Sequence, residues 1–362
     1  MGLSMEQDAI AKGFYMTLCS HEEIERIFNV SSARDYLLKI RADATIDHTR
    51  IHRVFRRRML DAGEDWCFED YFDVKPFENY ISHLADKDYL QAKELTAGFV
   101  FCDKPNGQIE KTEFGNVITI SESLRYFLYF MNLAILDHGV VDVPQDVRSA
   151  AMKIAIRTML QSEALDFDLD PRGEVPEEIH ESVQYHTDRQ LEFVIGHEFA
   201  HHFLGHLDDT KLVEGAYLSA QELGDLPHKF FSHAQQDELD ADISAIERPV
   251  YTPDMKTDIV NRALFFFVYL HIYQGVKDQI MPSMGRAKTH PNPLDRFHHM
   301  YNHFKNEVEL DEDNLKELLK LSDMYQESLS EDVALNFESY EFYGSIYLAQ
   351  WRGKVLVDRM DF

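Results

Sequence analysis

The sequence predicts a mainly helical α+β fold. Long stretches place apolar residues at helical spacing, only two short runs are rich in β-formers, and a turn signal separates those two runs. With 362 residues and 44% hydrophobic content, the chain can build one large domain or a core with an added lobe. The composition shifts divide it into a helical N-terminal region (1–94), a core (95–308) and a helical C-terminal region (309–362).

From about Asp8 to Leu90 the pattern is helical, with Ile24, Ile27, Tyr36, Leu37 and Ile40 near one face. Arg50, Arg53, Arg56, Arg57 and Arg58 form a basic cluster within it, expected as a solvated helix face rather than a docking patch. The pattern changes at Ala97 to Cys102 and again at Asn116 to Ser121, both β-rich, with Lys104-Pro105-Asn106-Gly107 as a turn between them. Ser121 to His138 and Val147 to Leu160 read as amphipathic helices. Leu165 to Glu178, acidic and holding Pro171, Gly173 and Pro176, reads as a loop that either gates a cleft or lies inert on the surface.

Thr187 and Gln190 match a capping box, which starts the next helix near Asp188. Further helices are expected over Gln235 to Ile246, Asp258 to Val276, Leu294 to Asn306, Leu315 to Ser328 and part of Val333 to Val357. The most apolar run, Ala263 to Tyr273, is short for a bilayer and reads as a buried core helix, so no membrane span is expected.

A formal charge of -28 argues against nucleic acid and anionic lipid as partners of the chain as a whole. Cys19, Cys67 and Cys102 are too few and too scattered for a disulfide framework or a cysteine metal knuckle, and no signal-peptide core opens the chain. Together these point to a cytoplasmic protein.

The chemistry concentrates in His197-Glu198-Phe199-Ala200-His201. Two histidines four apart on a helix project from one face and can share a tetrahedral zinc, and the Glu beside the first lies close to a water activated there. Such a pattern recurs by chance in histidine-rich chains, so its context decides. Leu191, Val194 and Ile195 supply an apolar face, consistent with a helix. A catalytic zinc also needs a third protein ligand. The continuation His202-Phe203-Leu204-Gly205-His206 misplaces both Gly205 and His206 for a metzincin, which leaves His202 and His206 as surface, core or supporting residues. Glu238 and Asp242 fit better: four apart on a later helix, they share a face, so Glu238 can bind the metal while Asp242 orients a histidine ring.

With this pair the sequence resembles the gluzincin metallopeptidases typified by the HtpX and CAAX-prenyl proteases, whose pattern is His-Glu-x-x-His followed by Glu-x-x-x-Asp on another helix. That family also carries His-Pro and then Arg, matched here by His290-Pro291 and Arg296. The resemblance covers about residues 95 to 305. It implies a zincin-like core with a small sheet beside the active-site helix, whose edge strand pairs with extended substrate, with Asn116 to Ser121 as that strand. It also implies one zinc on His197, His201 and Glu238, Glu198 as general base, His290 as donor to the developing oxyanion, and Arg296 bracing the Glu238 side. The namesake proteases are membrane-embedded, so their substrates do not carry over. In the general zinc motif alone the chain is also similar to soluble peptidases such as the phage-exclusion peptidases of the Lit type.

The resulting expectation is a zinc-dependent endopeptidase acting on an intracellular protein or peptide, with a regulatory protein as a further partner. The rival is a non-catalytic zinc-containing regulatory or protein-binding module, in which His233 or Asp242 closes the metal as a fourth ligand.

Overall fold

In the computed structural model, residues 10–139, 142–207, 235–281, 291–308 and 310–351 are described. Three strands form the sheet: Thr96–Val100 (β1), Gly107–Thr112 (β2) and Gly115–Ser121 (β3). Their order is β1-β3-β2, with β1 parallel and β2 antiparallel to β3. The strand absent from the sequence reading, β2, begins at the glycine of the turn signal and carries Gln108, Glu110 and Lys111, which hide its alternation. A tight reversal closes the hairpin: Gly115 adopts φ +119, and Thr112 Oγ1 donates to its carbonyl at 2.6 Å.

This topology corrects one expectation. Asn116 to Ser121 lies in the central strand, hydrogen-bonded on both sides, and cannot accept a further strand. Of the two edge strands, the one beside the motif helix is β2, whose Gly107 packs against Val194 and Glu198 of that helix.

The motif helix runs Glu177–Phe203, eleven residues longer at its start than the Thr187–Gln190 pattern suggests. It starts after Pro176, with Glu177 and Glu178 placed favourably at the positive end of the helix dipole. Thr187 and Gln190 are instead fully buried mid-helix. Asn132, on helix Glu122–Ile135, donates through Nδ2 to Thr187 Oγ1 at 3.1 Å and to Gln190 Oε1 at 2.9 Å, and accepts from Tyr269 OH at 2.8 Å. A polar knot therefore joins three helices inside the core. A capping box and such a knot use the same residue types, and sequence alone does not separate them.

Tyr269 lies on the longest helix among the described residues, Pro253–Ile280, capped by Thr252 through a bond from the Met255 amide. Its 28 residues include an 18-residue stretch of mean hydropathy 1.2, so this helix, unlike the shorter apolar run within it, has the length and composition of a membrane span. Burial of 61% of that stretch inside the protein marks it as a core helix. The remaining helices near the site are Gln235–Glu247 and Pro293–His303. One apolar cluster extends from Tyr15 to Leu348 and underlies all these elements.

The arginine cluster disperses around helix Thr49–Ala62. Arg50 is buried against Asp166 at 2.8 Å, Arg58 pairs with Asp168 at 2.7 Å, Arg57 pairs with Asp61 at 2.9 Å, and Arg56 donates to the Thr17 carbonyl at 2.9 Å. No continuous basic face results. The acidic loop is likewise pinned rather than free. Glu163 is buried between Arg157, at 2.7 Å, and Arg172, at 3.0 Å, and Arg172 also holds Asp166 at 3.0 Å. Arg157 reaches on to the carbonyls of Ser339, Phe342 and Gly344, which stitches the C-terminal stretch onto the loop.

Asn132→Ala is expected to cost about 3 kcal/mol in urea unfolding, because the amide's buried partners lose their bonds where water cannot replace them. A change within about 0.5 kcal/mol, as for a surface site, would deny the knot its role.

Candidate metal centre

Gly196, the residue before the first motif histidine, lets the carboxylate helix Gln235–Glu247 approach closely. A Cβ there would come within 2.7 Å of the buried Tyr80 ring and 3.0 Å of the Ala245 carbonyl oxygen. The two helices consequently face each other with His197, His201, Glu238 and Asp242 all buried between them.

His197 Nε2 and His201 Nε2 lie 3.1 Å apart, and each sits 3.6 Å from an oxygen of Glu238. These three residues form a group whose donor atoms fall within 4.8 Å of one another and could hold a metal ion. Metal–ligand bonds of about 2.0–2.2 Å at the tetrahedral angle separate ligands by about 3.3–3.5 Å, so the observed spacing fits a zinc-sized site. Two imidazoles and one carboxylate suit zinc and other first-row divalent ions.

The supports are equally specific. Asp242 Oδ1 lies 2.9 Å from His197 Nδ1, which fixes that proton and leaves Nε2 as the donor. Arg296 grips Asp242 with two nitrogens, Nε at 2.8 Å and Nη2 at 2.5 Å, while its Nη1 is 3.5 Å from Glu238. Arg296 thus braces Asp242 first and Glu238 only loosely, a shift from the role that the resemblance implies. Helix Pro293–His303, capped by Asn292 and opened by Pro293, delivers the arginine.

Burial alone would lower the His197 pKa, but the hydrogen bonds that the ring donates to Asp242 and Glu238 outweigh it and raise the group to about 10 when no cation shares the site. Burial pushes Asp242 upward, and the Arg296 charge overcomes this to hold it below its ordinary value. The buried centre is thus set for positive charge, either protons or a metal.

Glu198 is buried next to His197 and lines the same cavity of about 410 Å³, with His197, Glu238 and Arg296 on one side and Gly107, Phe193 and Leu270 around it. A Cβ on Gly107 would stand 3.0 Å from Glu198 Oε1. The carboxylate therefore sits close to Gly107 of β2, a strand whose other side pairs with no further strand among the described residues.

The structure brings together His197, Glu198, His201, Glu238, Asp242 and Arg296. His290 and His233 lie outside the described residues. Asp242 is occupied by Arg296 and His197 Nδ1 rather than offered as a fourth ligand. His202 turns away from the centre toward Asn116, with Nδ1 3.1 Å from the amide nitrogen. No motif singles out Gly196, whose signal is a glycine within a helix, and the turn pattern at Gly107 gives no sign of its contact with Glu198. In comparisons with family models, curated proteins and solved structures, none matches this chain.

Glu238→Ala should weaken zinc binding, measured by chelator competition, by about 100-fold or more, beyond the usual cost of losing a supporting residue. Asp240→Ala, on an exposed face where Asp240 accepts from Gln236 at 2.8 Å, should leave it unchanged. Equal affinity in the two variants would remove Glu238 from the ligand set.

Proposed function

We propose that the chain is a zinc-dependent endopeptidase of the gluzincin type, cutting an intracellular, cytoplasmic protein or peptide. The observation that carries this reading is the placement of Glu198 against one cavity together with His197 and Glu238, two members of the His197, His201 and Glu238 group, beside a strand that pairs on one side only among the described residues. His197, His201 and Glu238 would hold the ion, and three protein ligands leave the open position that catalytic sites keep. Zinc bound there would lower the pKa of a water to about 7 and polarise a carbonyl.

Glu198 accepts the proton released as the nucleophile forms and returns it to the leaving amide nitrogen. Its shuttling is short because it neighbours a ligand and faces the cavity. The edge of β2 offers backbone groups to an extended substrate, which would set the scissile carbonyl beside Glu198. Apolar walls at Leu124, Phe193, Phe266 and Leu270 favour an apolar side chain near the cut. Asp242 and Arg296 keep the ligands oriented without touching substrate.

The rival, a closed structural zinc site, finds less support. Its fourth ligand among the described residues would be Asp242, which is already committed. A cytoplasmic setting is supported by three free cysteines, two of them buried.

Glu198→Gln should retain zinc while peptide hydrolysis falls by about 10²–10⁴-fold, the scale of general-base catalysis. New protein termini mapped in cells with active protein, and missing with this variant, would identify the substrate. Undiminished hydrolysis by Glu198→Gln would sink the assignment. Gly107→Ala should act in the same direction, since the added methyl crowds Glu198 Oε1 and the rigid Ile120 and Val194 side chains.

A further inference from the structure

The motif helix ends at Phe203, and the chain turns through Leu204 and Gly205, the glycine adopting φ +74. The Gly205 amide donates to the His202 carbonyl at 3.1 Å and the His206 amide to the His201 carbonyl at 3.1 Å. These are the paired bonds of a Schellman stop, and the positive φ at its hinge suits glycine. The turn carries the next side chain back over the last helical turn. His206 Nδ1 consequently lies 2.8 Å from His201 Nδ1, with the two rings 5.1 Å apart at 63°.

We propose that His206 is a positioning residue for the metal centre: its Nδ1 accepts the Nδ1–H of His201 and holds that ring with Nε2 turned to the shared site. The proposal rests on the reading that His197, His201 and Glu238 bind a metal, and it concerns how one of those ligands is set.

The proton assignment follows from the geometry. An imidazole that binds metal through Nε2 keeps its proton on Nδ1. Two Nδ1 atoms at 2.8 Å share one proton, so His206 carries its own on Nε2. That nitrogen faces Asp237 Oδ1 at 3.8 Å, too far for a direct hydrogen bond but close enough for the carboxylate's charge to favour this tautomer. The two ligands therefore have unlike supports: an ionised Asp242 clamped by Arg296 behind His197, and an uncharged imidazole behind His201. The Gly205-His206 spacing that breaks the metzincin pattern thereby acquires its own use.

The test measures zinc affinity of the full chain by chelator competition and records the visible spectrum of the cobalt-loaded protein. His206→Phe keeps an aromatic ring of similar size without an acceptor. His206→Gln replaces the ring with an amide oxygen that can accept the same proton. His206→Phe is expected to weaken zinc binding about 10–100-fold and to alter the cobalt bands. His206→Gln is expected to recover most of the affinity and the original bands.

Zinc affinity in His206→Phe equal to that of the unaltered protein would overturn the proposal, and so would an equal loss in both variants. Metal-free His206→Phe should melt with the unaltered metal-free chain. A large drop there would assign His206 to packing and also overturn the proposal. If the unaltered protein bound no zinc, the metal centre itself would fall, and this inference with it. Normal zinc binding without hydrolysis would instead defeat only the peptidase reading.

Discussion

The constraint on which the structure turns is the burial of charge between two helices. Glu238 and Asp242 are each 1% exposed, close to two imidazoles that are nearly as buried. Carboxylates so placed are costly unless paired, and removing one partner of a buried pair commonly costs about 3–5 kcal/mol. Arg296 meets that demand for Asp242 through a two-nitrogen contact, and Asp242 in turn fixes His197. What is left is a group of three donors with a surplus of negative charge, which protons or a cation can neutralise. The chain of contacts from Arg296 through Asp242 to His197 therefore compensates buried charge and orients a ring that could bind a metal ion.

The helices around this centre are arranged to hold it rigidly. Gly196 permits close approach of the carboxylate helix, and Asn132 ties the motif helix to its neighbours from the opposite side. Glu198 lines a cavity and lies close to Gly107 of β2. The walls of the site thus come from several elements, and the motif helix among them is tied by Asn132 at a distance from the buried group.

Much of this was legible in the sequence. A helical period exposed the motif histidines, and the four-residue interval of Glu238 and Asp242 placed both carboxylates on one face; the structure brings them to the same centre. Their partner Arg296 was found through an ordered pattern, though its main contact is Asp242. Other features required the three-dimensional arrangement. Thr187 and Gln190 bear the residue types of a cap, yet Asn132, distant in sequence, recruits them into a core knot. Strand β2 is hidden in the sequence because its polar residues follow a genuine turn signal, so the pattern marks only β1 and β3 and gives no sign that β3 is central. Arg50 to Arg58 read as one solvated face because sequence gives adjacency without direction, whereas Asp166 and Asp168 draw two of the five arginines into ion pairs.

The stitch between the acidic loop and the C-terminal stretch bears on how the chain is made. Arg157 and the carbonyls it caps at Ser339, Phe342 and Gly344 are separated by 182 to 187 residues. At a synthesis rate of about 5–20 residues per second, roughly 10–40 s pass between the emergence of the two ends of that contact. During that interval Arg157 and Glu163 have each other but lack the late carbonyls that complete their shell. The residues of the candidate metal centre, all between 197 and 296, are available sooner. The nascent chain can thus bring that group together while Arg157 still waits for the carbonyls that will hold it.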